Sequence, residues 1–194
     1  MTLFVVRHGQ TQENLQRILQ GHLPGVLTEK GLSEMQETAR RLAAATRGFS
    51  ETTRGSDENR TSYDALLASD LARTRVSAQI LASQLGMEVE PTPLLRERDW
   101  GDITGMPIAE ARDRFRIDGQ WRFPPTVETE DAMLRRAKRL LQWLQERRLE
   151  RPILVTHGLF ARYLIGAATG CQPRDVTPLT NGEVRTICPL SPET

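Results

Sequence analysis

Apolar residues recur along this chain in two rhythms. Short unbroken runs, Leu3-Phe4-Val5-Val6, Ala65-Leu66-Leu67-Ala68 and Ile153-Leu154-Val155-Thr156, have the length and β-branched content of buried strands. They predict strands over 2–6, 65–68 and 152–156, with a short edge strand at Val89 and a closing strand over 184–188. Between them the period lengthens to that of helices. Leu32, Met35, Ala39, Leu42 and Ala43 predict a helix capped by Thr28 and stopped at Gly48. Asp70 is placed to cap a helix ending at Gly86, and a shorter helix is predicted over Ile108–Phe115. Thr129 is placed to cap a long helix with Glu130 and Asp131 in its first turn and Arg147 and Arg148 in its last, a polarity that suits the helix dipole. A further helix follows His157-Gly158 and ends near Gly170.

The stretches between these elements read as loops: 9–27, with Gly21, Pro24 and Gly25; 94–106, charged and glycine-containing; and 119–127, with Pro124-Pro125. Residues 48–62, polar and without period, read as a solvated surface loop. Strands alternating with helices predict an α/β fold with a mainly parallel sheet covered on both faces. Neither a repeat nor a low-complexity tract is visible.

Composition narrows the function classes. The chain has 194 residues, 38% hydrophobic and 26% charged, which suits one domain, 1–194, with a full core. A net charge of +1 gives no global field toward nucleic acid or membrane. No apolar run approaches the roughly 20 residues that span a bilayer, and the apolar N-terminal stretch ends at Arg7, too short for a signal peptide. Two cysteines, Cys171 and Cys188, form neither a disulfide framework nor a zinc pattern, so reduced thiols in a cytoplasmic protein are expected.

Two of the strand ends carry the same chemistry. The first runs into Arg7-His8-Gly9 and the last into His157-Gly158. In open α/β sheets ligands bind at the carboxyl ends of the strands, so neighbouring parallel strands would bring both imidazoles to one crevice. Arg73, in Ser69-Asp70-Leu71-Ala72-Arg73, would join them. Arginine presents a rigid fork that matches phosphate, and helix N-termini after residues 9, 69 and 158 would add N–H donors. Two Arg, two His and several N–H groups describe a phosphoryl site. A histidine can attack phosphorus and hold the group covalently, with Gly9 leaving room beside the ring. Glu97 is the candidate proton donor, since a carboxylic acid beside a dianionic ligand is pushed toward its protonated form.

Each signal alone has a bland explanation. His-Gly is commonly a turn, Arg7 or Arg73 a surface ion pair, and Glu97 part of an exposed charge alternation. The Arg135-Arg136-Lys138-Arg139 cluster reads as a solvated helix face. Trp100, Trp121 and Trp143 read as packing, and His22 as incidental. His8, His22 and His157 match no compact zinc spacing.

Taken together the blocks resemble the histidine phosphatase superfamily, also called phosphoglycerate mutase-like. They are Arg7-His8-Gly9-Gln10-Thr11-x-x-Asn14, Gln20-Gly21, Leu27-Thr28-x-x-Gly31, Ser69-Asp70-Leu71-x-Arg73-Thr74, Leu95-x-Glu97-x-x-Trp100-Gly101, Glu128-Thr129, Val155-Thr156-His157-Gly158-x-x-x-Arg162 and a late Asn181. They run in the family's order over nearly the whole chain. The resemblance implies a three-layer α/β/α sandwich with a mostly parallel central sheet. It implies a phosphohistidine mechanism with no metal and no cofactor. It makes His8 the nucleophile, with Arg7, Arg73 and His157 binding the phosphoryl group and Glu97 as proton donor, then base. Asn14 and the Gly158 N–H become further phosphate contacts, and Gln20-Gly21 a substrate-side loop. Thr104, Val127 and Pro24 depart from the family's frequent glutamate, glycine and aspartate.

Family members that act as mutases carry a longer insertion after the acid block. Here a short cap-like segment, 99–127, is expected to leave the phosphohistidine open to water. The expectation is therefore a phosphomonoesterase acting on a small phosphorylated metabolite. Alternatives are a cofactor-dependent phosphoglycerate mutase and, in another class, a non-catalytic phosphate-ester-binding protein, whose hallmark would be loss of His8 or Glu97. The pocket rim is expected from 10–25, 99–124 and 178–183. A homodimer is compatible with the sequence.

Overall fold

A computed structural model describes residues 1–50 and 63–190. Five strands form one sheet in the order β3-β2-β6-β1-β7. They are β1 (Leu3–Arg7), β2 (Leu66–Ser69), β3 (Val89–Thr92), β6 (Ile153–Thr156) and β7 (Val184–Ile187). The first four in that order are parallel, and β7 closes the sheet antiparallel to β1.

The apolar runs explain why both faces must be covered. Side chains alternate along a strand, so an unbroken apolar run buries on two sides. In β1, Leu3 and Val5 pack with Met133, Ala137, Leu140 and Leu144 of α5 (Glu130–Glu146) and with Phe160, Ala161 and Leu164 of α6 (Gly158–Thr169). Phe4 and Val6 pack on the other face with Met35, Ala39 and Leu42 of α2 (Glu29–Ser50) and Ala78 and Leu81 of α3 (Ala72–Leu85). The four buried residues of α5 follow a spacing of four, three and four, a single stripe. Burying each large one stabilises the fold by about 1.5–3 kcal/mol.

Most predicted boundaries hold to within two residues, including the Thr129 cap, whose side chain accepts the Ala132 N–H at 3.2 Å. Five expectations need correction. Helix α5 ends at Glu146, so Arg147 is its C-cap and Arg148 lies beyond it rather than in the last turn. Helix α2 runs through Gly48 to Ser50, and residues 51–62 of the expected loop lie outside the described residues. Asp70 does not cap α3. Both its oxygens are taken by Arg96, at 2.7 and 2.6 Å, and Leu71 stands at the N-cap without a side-chain bond. The 9–27 loop contains a short helix, α1 (Gln12–Gln16), closed by a reciprocal capping box between Thr11 and Asn14. With five residues, none of them buried, it leaves no hydrophobic period to read. The irregular segment contains a small hairpin, β4 (Arg116–Ile117) with β5 (Gln120–Trp121).

That hairpin, helix α4 (Ile108–Phe115) and the flanking turns build a cover above the sheet's carboxyl edge. Leu19, Ile103, Ala111 and Val127 form its own small core. Among the described residues no helix is long and apolar enough to cross a membrane.

Candidate active site

Register brings the two histidines together. Arg7 pairs with Thr156 across the parallel β1–β6 ladder, so the next residue on each strand is His8 or His157. The His8 N–H donates to the Thr156 carbonyl at 3.0 Å. The rings meet edge to face with centroids 5.2 Å apart, and both residues are buried.

Hydrogen bonds assign their protons. Nδ1 of His8 lies 2.7 Å from the Gly9 carbonyl, which can only accept, so Nδ1 carries the hydrogen and Nε2 keeps its lone pair. Nε2 of His157 lies 2.9 Å from the Ser69 hydroxyl. That oxygen also accepts the Leu71 N–H at 3.4 Å, and its own hydrogen has no other acceptor among the described residues, so the hydroxyl donates to Nε2. The His157 hydrogen then sits on Nδ1, which is buried with no protein partner. Burial first, and then the Arg73 charge, holds both imidazoles well below the usual histidine pKa. Both rings are neutral near pH 7: one offers a lone pair and the other an N–H.

The two arginines are anchored by one part of the guanidinium and leave another part unbound. Arg7 donates through Nη1 to the Leu179 carbonyl at 2.7 Å. Arg73 donates through Nη2 to the Gly21 carbonyl at 2.8 Å and through Nη1 to that of Leu23. Nε of each is buried without a protein acceptor. Burial lowers both pKa values, that of Arg73 to about 10, so both remain charged.

Glu97 sits at the start of α6. Its carboxylate accepts the N–H groups of Leu159 at 3.1 Å, Phe160 at 3.0 Å and its neighbour Arg98 at 2.9 Å. These bonds revise the expected anion sites. At α6 two N–H donors serve Glu97, and that of Gly158 takes no part. At α3 the Arg73 N–H donates to the Pro24 carbonyl at 3.1 Å.

The glycines also act differently from the expectation. Neither Gly9 nor Gly158 has a positive φ. A Cβ on Gly9 would stand 2.3 Å from the Gly31 carbonyl oxygen, and one on Gly31 would stand 2.1 Å from that of Gln10. Their bareness lets two backbones cross at the start of α2, rather than making room beside the imidazole. A Cβ on Gly158 would press on the Arg7 guanidinium at 3.1 Å.

Asn14 and Gln20 lie in the loop beside His8. The Asn14 side-chain oxygen accepts the Thr11 N–H at 3.1 Å and the Asn181 amide at 3.2 Å. Asn181 also donates to the His8 carbonyl at 3.0 Å. Gln20 donates to the Thr11 hydroxyl at 2.8 Å, and its own oxygen is buried without a donor. Gly21 sits with φ +48°, and a Cβ there would lie 3.1 Å from the Trp100 ring.

Two residues read as bland support this site, and a third lies open to solvent. Arg136 is no solvated face: it holds Glu128 through two bonds and donates to the carbonyls of Leu94, Arg96 and Glu97. His22 is not incidental, since its Nε2 lies 3.1 Å from the Glu97 carbonyl. Trp121 packs on Phe123 as expected, yet 46% of it stays exposed. The polarity of α5 conceals Arg136, because a half-buried cation on a charged helix has the same sequence signature as an exposed one.

Known proteins resemble the chain in sequence and in fold. Residues 3–189 match the histidine phosphatase superfamily (branch 1). The chain is 30% identical to a Bradyrhizobium 2,3-bisphosphoglycerate-dependent phosphoglycerate mutase, over 90% of this chain and 84% of the relative. Its fold is similar to that of a mycobacterial glucosyl-3-phosphoglycerate phosphatase complexed with VO3. That match has a TM-score of 0.77 and 24% identity, covering 95% of this chain and 91% of the other. The α-ribazole phosphatase from Shigella flexneri is also similar, with a TM-score of 0.75 and 23% identity over 96% and 89% of the two chains. On the match across residues 3–189, the chain belongs to the histidine phosphatase superfamily.

Proposed function

We propose that the protein is a phosphomonoesterase that works through a phosphohistidine at His8. The observation that carries this reading is a set of buried donors without protein acceptors, Arg7 Nε, Arg73 Nε and His157 Nδ1, beside a neutral ring whose Nε2 lone pair is uncommitted. Two fixed cations and an N–H donor complement the oxygens of a phosphoryl group.

In this mechanism His8 Nε2 attacks phosphorus while the bond to the leaving oxygen breaks. Glu97 passes its proton to that oxygen and the alcohol departs. Arg7, Arg73 and His157 hold the three phosphoryl oxygens through the transition state, with Asn14 and the Gly158 N–H as further contacts. Water then attacks phosphorus, Glu97 takes its proton, the P–N bond breaks and inorganic phosphate leaves. The Nδ1–H bond to Gly9 fixes the ring orientation in both halves.

The mutase relatives favour a second reading, in which the phosphoryl group returns to a phosphoglycerate. The cover is small, built from α4, a hairpin with two residues per strand and short flanking turns, which supports access of water and hence hydrolysis. Glu97 and His8 together weigh against a purely binding role. A small phosphorylated substrate, without nucleic acid or membrane, fits the site.

The deciding experiment is phosphate release from p-nitrophenyl phosphate in excess EDTA by the wild type and by His8→Ala. Turnover lost in the variant, with an acid-labile phosphoryl label on the wild type only, is the expected result. Bisphosphate-primed interconversion of phosphoglycerates with little free phosphate would establish the mutase instead.

A further inference from the structure

A cavity of about 620 Å³ lies between the cover and α6. None of the proposed catalytic residues lines it, but its walls adjoin their supports and the substrate-side loop at three points. Leu159 lines it, and the same residue's N–H holds Glu97. Leu19 lines it and precedes Gln20. Trp100 lines it and packs on Gly21, whose carbonyl anchors Arg73. Asn181, within the 178–183 part of the expected rim, instead backs His8.

The wall is apolar and aromatic where it could have been ionic. Trp121 stacks on Phe123, with centroids 4.9 Å apart and planes 13° apart, yet remains 46% exposed. The wall cations each have a partner of their own. Arg98 donates to the Glu128 carbonyl at 2.7 Å and lies over the Trp100 and Phe123 rings, 4.7 and 4.8 Å from their centroids. Arg162 donates to the carbonyls of Pro173 and Arg174 at 3.0 and 2.8 Å. Arg174 stands exposed at the rim, 4.0 Å from Asp175. The Tyr163 hydroxyl serves Glu130, and burial with that carboxylate raises its pKa to about 12, so it stays protonated. A compact leaving group with its own carboxylate would compete with these partners, whereas a flat apolar group would extend the Trp121–Phe123 stack.

We infer that this cavity receives the alcohol portion of the substrate, and that this portion carries a flat, largely apolar ring system rather than a second anionic group. The inference rests on the phosphomonoesterase reading for its substrate. Its test separates the two.

Wild type is assayed with 2-(1-naphthyl)ethyl phosphate and glycerol 1-phosphate, both alkyl monoesters with leaving groups of similar basicity. The ratio of their kcat/KM values is expected to favour the naphthyl ester by about tenfold or more. Trp121→Ala and Ile108→Ser, both at exposed positions of the wall, should each shrink that ratio several-fold, mainly through KM. Equal kcat/KM values in wild type, or a ratio that neither variant changes, would overturn the inference. If neither ester is hydrolysed, the phosphatase reading fails. Calorimetric titration with 2-(1-naphthyl)ethylphosphonate and with methylphosphonate then decides the cavity's role. Tighter binding of the naphthyl compound by about tenfold, lost in Trp121→Ala, supports it; equal or absent binding overturns it.

Discussion

Arg136 holds both carboxylate oxygens of Glu128, at 3.0 and 2.8 Å, from within a helix whose other charges suggest a solvated face. Both side chains are only 17% exposed. The same guanidinium donates to the Leu94, Arg96 and Glu97 carbonyls, so one cation fixes the backbone that presents the proposed proton donor.

Replacing Arg136 with Met should therefore do two things. It leaves Glu128 unpaired, which costs about 2–4 kcal/mol of stability for a partly buried pair. It also loosens Glu97, lowering turnover of an alkyl phosphate by roughly 10- to 100-fold. The loss should be smaller for p-nitrophenyl phosphate, whose leaving group needs little protonation. An equal loss for both esters would assign Arg136 a structural role alone.

Ser69→Ala removes the hydroxyl that fixes the His157 proton on Nδ1. Vanadate inhibition should weaken by about ten- to a hundredfold as the donor toward the phosphoryl oxygens is lost. An unchanged inhibition constant in a folded variant would refute the tautomer assignment.

Gly9→Ala should be poorly tolerated because its Cβ would meet a backbone oxygen that no side-chain rotation can move. A loss of about 2 kcal/mol or more in urea unfolding is expected. Gly158→Ala meets only the Arg7 guanidinium, so its effect should fall on substrate affinity. Comparing urea midpoints with KM values for the two variants checks this division.

The buried neutral histidines set a pH dependence. Their folded pKa values lie below 6.5, so below about pH 6.5 the unfolded chain takes up protons that the folded chain does not. Stability should then fall as pH falls from about 6.5, with a slope of up to about 1.4 kcal/mol per pH unit for each histidine. The double variant His8→Gln, His157→Gln should flatten urea midpoints between pH 7 and 5.5. A slope equal to that of wild type would contradict the assignment.

The chain's own pattern determined the layers and the ends of the strands. Unbroken apolar runs demand cover on both faces, and the polar step at Arg7-His8 and Thr156-His157 marks where each strand leaves the core. The family blocks carried the residues of the proposed chemistry, because those roles depend on side-chain type at fixed positions. Tertiary structure alone decided the rest. The Arg136 bonds to the carbonyls of Leu94, Arg96 and Glu97, the Ser69 hydroxyl beside His157 and the crossing of Gly9 with Gly31 join residues 22 to 88 positions apart. Local sequence constrains only what one element can touch, and those contacts form where separate elements meet at the sheet's carboxyl edge.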